Sequence, residues 1–178
     1  MQARDIAPHE ILLPVRAAFI IFTFIAALLI NLLPWSGWWL VIKPDFVALV
    51  VLYWCIQQPR KVGFTSAWLL GLVMDVAEGS LFGQHALAYS VLAFGGVALH
   101  RRLQMFDLRQ QTTQVFGIFA LTYAVYALVH WQVNGYVVWL YFLGCLTSTL
   151  LWTPLSLMFQ SMRHGQVHHE RRRRERRP

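Results

Sequence analysis

From Ala17 to Phe159 the chain is a series of apolar runs separated by short breaks, and its lysines and arginines fall almost entirely in every second break. That pattern limits the fold more than any single motif does. An apolar run of about 20 residues has the length a helix needs to cross a bilayer, and loops rich in Lys and Arg stay on the cytoplasmic side. The chain has 178 residues, of which 57% are hydrophobic and 13% charged. Soluble domains carry charge on about a quarter of their residues. The length holds about five or six crossings with their turns, and leaves no room for a sizeable soluble domain.

The runs predict an all-α, polytopic membrane protein with spans over about 17–33, 45–56, 62–76, 84–99, 112–130 and 136–159. Pro34 stops the first span, and Trp35, Trp38 and Trp39 follow, a residue type that prefers the headgroup level. Pro44 and Asp45 open the second span, where proline suits the first turn and an acid complements the positive end of the helix. Arg4 and Arg16 precede the first span. Arg60 and Lys61 join the second and third; Arg101, Arg102 and Arg109 join the fourth and fifth; Arg163, Arg171, Arg172, Arg173, Arg174, Arg176 and Arg177 follow the sixth. The alternate loops hold only Lys43. Six crossings with both termini cytoplasmic put nearly all positive charge on one side. The expected organisation is a cytoplasmic segment 1–16, one six-helix domain 17–160 and a basic cytoplasmic tail 161–178.

The segment from Gly71 to Leu87 places Asp75 and Glu78 at the end of an apolar run and closes the turn with Gly79 and Gly83. A carboxylate at membrane depth costs several kcal/mol unless protein or water receives it, so it marks a functional site by default. The second and third spans are short, about 20–23 Å against a hydrocarbon core of about 30 Å. Either they stop early and Asp45, Asp75 and Glu78 line a concavity open to the outside, or they tilt in a thin bilayer with the acids at its surface. Asp75 likewise has two readings. It is a structural or partner-binding carboxylate at an outer mouth, shielded by a helix that approaches over Gly71, or it caps the turn through amides near Gly83. Gly79 and Gly83 serve turn geometry. Small-residue pairs four apart, Ala67 and Gly71, Ala120 and Ala124, Gly144 and Ser148, favour close helix packing. Gly95 and Gly96 read as ordinary packing positions.

Other chemistry is sparse. Cys55 and Cys145 sit in apolar runs with no metal-ligand or disulfide spacing, and read as small buried residues. His85 and His130 read as hydrogen-bonded interfacial residues. His164, His168 and His169 have a helical metal spacing but lie in an arginine-rich, solvated tail. Serine, threonine and tyrosine are scattered without a matching base, and no phosphate loop, nucleophile elbow or intramembrane relay is present. No catalytic residue, cofactor or metal is expected, and no enzyme. Arg101 and Arg102, with Arg171 to Arg174, are expected to meet anionic lipid or a cytoplasmic partner. Nucleic-acid binding is not expected, because the tail lacks aromatic platforms.

Pro44 and Asp45 opening a short second span, followed by Gly71-Leu72, Asp75, Gly79, Gly83 and Ala86-Leu87 at their spacings, resembles the MreD family of bacterial rod shape-determining proteins. The likeness covers the whole chain in length, span count and topology. The arginine-rich tail and the Trp-rich first outer loop are local elaborations. The resemblance implies a non-enzymatic inner-membrane component of the lateral cell-wall elongation machinery. Its partners would be MreC above all, with MreB filaments, the glycosyltransferase RodA and a class B penicillin-binding transpeptidase. It also implies a fold similar to the S-components of energy-coupling-factor transporters, six helices around an outward-facing ligand cavity. The alternative is therefore a small-molecule-binding subunit of a membrane transporter. Such a site would show convergent polar groups along several spans.

Overall fold

The computed structural model describes residues 17–37, 42–135 and 141–175, with side chains to 162. The segment 1–16, expected to be cytoplasmic, and Trp38, Trp39, Tyr136, Arg176 and Arg177 lie outside the described residues. So do the side chains of Arg163, His164, His168, His169 and Arg171 to Arg174.

Among the described residues there are six helices and no strand: α1 (Ala17–Asn31), α2 (Phe46–Gln57), α3 (Phe64–Glu78), α4 (Gln84–Met105), α5 (Leu108–Asn134) and α6 (Tyr141–Glu175). Each expected apolar run holds one helix. Several boundaries differ from the hydropathy reading: α5 runs from Leu108 to Asn134, four residues beyond the expected span at each end. α4 continues past Leu99 to Met105, and α6 continues past Phe159 to Glu175. Arginine, glutamine, leucine and methionine are good helix formers whatever their hydropathy, so the helices outlast the apolar stretches. Two helical stretches, Arg109–Val133 and Phe142–Met162, are long and apolar enough to cross a membrane; α1 and α2 are shorter apolar helices.

α2 is the axis of the molecule. All ten residues from Val47 to Ile56 are buried, and α1, α4 and α6 pack around it. Its uniform apolar sequence follows from that position, since a helix covered on every side has no polar face. α4 approaches it through Gly96, where a Cβ would lie 3.0 Å from Leu52 Cδ1 and 3.1 Å from Cys55 Cβ. α1 is tied to it by Trp54 Nε1 donating to Thr23 Oγ1 at 2.9 Å. Tyr53 stacks on Phe159 of α6 with centroids 4.7 Å apart.

α3 lies at the edge and packs mainly on α4. It buries only Ala67, Gly71, Met74 and Asp75, one stripe of the helix. A Cβ at Gly71 would overlap Ala86 Cα and come 2.6 Å from Ala86 N, so the close approach expected at this glycine is present. Gly144 and Ser148 are both buried on α6, again facing a close neighbour, Tyr123 of α5. Ala120 and Ala124 do not form such a contact face, because Ala124 is exposed.

Candidate functional site

α1 ends, α2 begins, α3 ends and α4 begins at one end of the bundle, and the polar side chains of the apolar runs collect there. Asp45 is the N-cap of α2, one residue after Pro44, and Oδ1 accepts from the Ala48 amide at 3.0 Å. The Asp45 amide donates to Ser148 Oγ of α6 at 3.2 Å. The Tyr89 hydroxyl of α4 lies 2.9 and 2.8 Å from the two carboxylate oxygens of Asp45, and the Tyr126 hydroxyl of α5 reaches Oδ2 at 3.3 Å. Tyr123 Oη is 3.3 Å from Ser148 Oγ. Asp45 thus gathers four helices, α2, α4 and α5 at its carboxylate and α6 at its amide.

Asp75 caps a different helix from its own. Its carboxylate accepts from the amides of Gly83 at 2.8 Å and His85 at 2.7 Å, both in the first turn of α4. These are amides that a helix N-terminus leaves without intrahelical partners, and its positive end favours the negative charge. The Ser80 hydroxyl donates to Oδ1 at 3.0 Å, and His85 Nδ1 lies 2.9 Å from the same oxygen. The backbone closes as tightly. Gly79 terminates α3 with φ 62°, and the amides of Gly79 and Ser80 return to Asp75 O. Gly83 takes φ 98°. Both glycines therefore occupy left-handed backbone that disfavours a side chain.

The two aspartates belong to one network. The His85 ring packs edge-on against Tyr89 and Tyr126, with centroids 5.9 and 5.0 Å away, and so bridges the Asp75 and Asp45 clusters. His85 Nε2 faces Glu78 Oε2 at 3.5 Å. Glu78 Oε1 accepts from Lys43 Nζ at 2.9 Å, and Lys43 also donates to Asn31 O, the last residue of α1, at 2.9 Å. One connected set of side chains thereby touches all six described helices.

This corrects two sequence expectations. Asp75 has a basic partner after all, His85, and Tyr89 and Tyr126 are matched to Asp45 rather than scattered. Nor do the aspartates line open surface: Asp45 is 9% and Asp75 2% exposed. The turn-capping reading of Asp75 describes its contacts. Ser80 Oγ and Asp75 Oδ1 both lie at Nδ1 of His85, at 3.1 and 2.9 Å, while Glu78 lies at Nε2.

Of the expected residues, Asp45, Gly71, Asp75, Gly79 and Gly83 come together at this end, with Pro44 beside them. Arg101 and Arg102 are exposed near the C-terminus of α4, at the opposite end of that helix from His85. Arg171 to Arg174 lie along the last turns of α6. Sequence reading missed Lys43, Tyr89, Tyr126 and Ser148 as members of the site. The spacing of His85 and Tyr89, four apart on an otherwise apolar helix, was the available signal.

Residues 15–162 match the family model described as rod shape-determining protein MreD. The rod shape-determining protein MreD of Haemophilus influenzae is 31% identical over 144 residues, covering 79% of this chain and 87% of that protein. No solved structure matches.

Proposed function

The chain belongs to the rod shape-determining protein MreD family, and from that premise we propose that it is a non-enzymatic scaffold of the machinery that elongates the bacterial cell wall. Family membership supports a role in rod shape determination. In this reading the protein is a multi-pass component of the inner membrane with six crossings and both termini cytoplasmic. Residues 17–160 form its membrane domain, between the segment 1–16 and the basic tail 161–178. One helix per apolar run, and lysines and arginines that except for Lys43 fall at the termini and in alternate loops, support that topology. Its main partner is MreC, within a complex that includes MreB, RodA and a class B penicillin-binding transpeptidase, and its role is to support lateral peptidoglycan synthesis.

The observation that carries the scaffold reading is the engagement of Asp45 and Asp75 with groups of this chain. Tyrosines, a serine and backbone amides surround them. Such an arrangement engages both carboxylates within the chain and holds a surface in shape. The outer turn from Asp75 to Gly83 is the proposed contact for the membrane helix and outer segment of MreC. The likeness to S-components is part of the proposal at the level of fold. A vitamin-type site has less support, because the aspartates that would line it are closed in.

Co-purification with MreC tests the contact. Asp75→Ala removes the acceptor for the α4 amides, and Gly79→Leu forces a branched side chain into left-handed backbone at about 1–2 kcal/mol. Both variants are expected to lose most of the MreC recovered by the wild type while remaining monodisperse in detergent. Undiminished recovery by such folded variants would remove the turn from the interface.

A further inference from the structure

At the opposite end of α4 the structure brings two basic loops onto one surface. The α2–α3 turn carries Arg60 and Lys61, and the α4–α5 knee carries Arg101, Arg102 and Arg109; all five are exposed. Asp107 is the single acid within these two stretches. Gln104 Nε2 donates to Ile56 O at 2.7 Å, which fixes the end of α4 against the end of α2. Gln111 Nε2 donates to Leu103 O at 3.2 Å, which fixes the start of α5 to the same knee. The turn is closed by the Lys61 and Val62 amides on Gln58 O, at 2.9 and 3.0 Å. Between the arginines, Met105 is 84% exposed and Phe106 40%.

We propose that this surface binds the headgroup of an anionic phospholipid in the cytoplasmic leaflet. Net positive charge favours a phosphate, and guanidinium forks match its oxygens in pairs. Met105 and Phe106 enter the acyl region beside the headgroup, the arrangement an interfacial anchor takes. The two glutamine hydrogen bonds hold the loops in place before the lipid arrives, so less ordering accompanies binding. The inference rests on the cytoplasmic placement of this end.

The test titrates phosphatidylglycerol into mixed micelles of the full chain, with bound lipid counted by native mass spectrometry. Each basic group near the surface is worth about fivefold in affinity, so the double variant Arg101→Gln with Arg102→Gln is expected to lose about twentyfold. Gln104→Leu keeps every charge but frees the knee from α2, and is expected to lose several-fold. Removing residues 171–178 should change the affinity less than twofold, and inorganic phosphate at matching concentration should not displace the lipid. Wild-type affinity in the double variant, equal binding of phosphatidylcholine, displacement by inorganic phosphate, or loss on tail removal alone would each overturn the proposal. Sidedness is read separately. A Gln110→Cys variant, at an exposed polar position of the same knee, should react with an impermeant maleimide in inside-out vesicles only. Reaction in right-side-out vesicles would overturn the topology, whatever the titration shows.

Discussion

Asp75 caps α4 from outside that helix, holding the Gly83 and His85 amides, and Tyr89 does the reverse, donating a side-chain hydroxyl to the capping aspartate of α2. Hydrogen bonds to a charged group are worth about 1.5–3 kcal/mol each, and a buried carboxylate that loses its donor keeps its desolvation cost. Tyr89→Phe should therefore lower stability by about 2 kcal/mol in thermal unfolding in detergent. Tyr126→Phe should lower it less, because its contact is longer, 3.3 Å. Equal losses would mean that Asp45 is held chiefly by its own helix. The acids themselves were legible in the sequence, since carboxylates in apolar runs demand partners. Their partners were not. Tyr89, Tyr126 and Ser148 lie 44, 81 and 103 residues from Asp45 in the chain, and no local pattern connects them.

Among the elements, α3 and α4 form the closest helix pair, and Gly71 sets their distance. Gly71→Ala places a methyl group into the backbone of His85 and Ala86, which cannot yield as a flexible side chain would. The expected loss is about 3 kcal/mol, near the upper end for overpacking. Gly117→Ala on α5 meets nothing within 4 Å and should be neutral or stabilising by up to about 1 kcal/mol. Unfolding midpoints of the two variants, measured side by side, check the contrast. That all six described helices could be read from the chain reflects how sharply charged and Gly- or Pro-containing breaks divide its apolar runs. The end of α4 could not be read the same way. Residues Arg101 to Met105 leave the apolar stretch but keep helical propensity, and Gln104 then secures them on Ile56 O.

Over the whole molecule, the polar network works at one end while α2 fills the centre. Lys43 and Glu78 close the network at its rim, with side chains 15% and 31% exposed. A double-mutant cycle on this pair should give a coupling of about 1 kcal/mol or less, since both groups keep contact with solvent. A coupling of several kcal/mol would place the pair in a much drier setting. The position of α2 also bears on biogenesis. The ribosome delivers Phe46–Gln57 before α4 and α6 have been made, yet those helices form most of its wall. In the proposed six-crossing topology the emerging helix, at about 18 Å, is too short to sit easily alone in a bilayer about 30 Å thick. In that topology it would stay beside α1 and exchange lipid for protein when the later helices arrive. Assembly in that topology is settled late in synthesis, and a nascent chain halted after Glu78 would leave the faces of α2 that α4 and α6 cover open to the membrane's quality-control proteases.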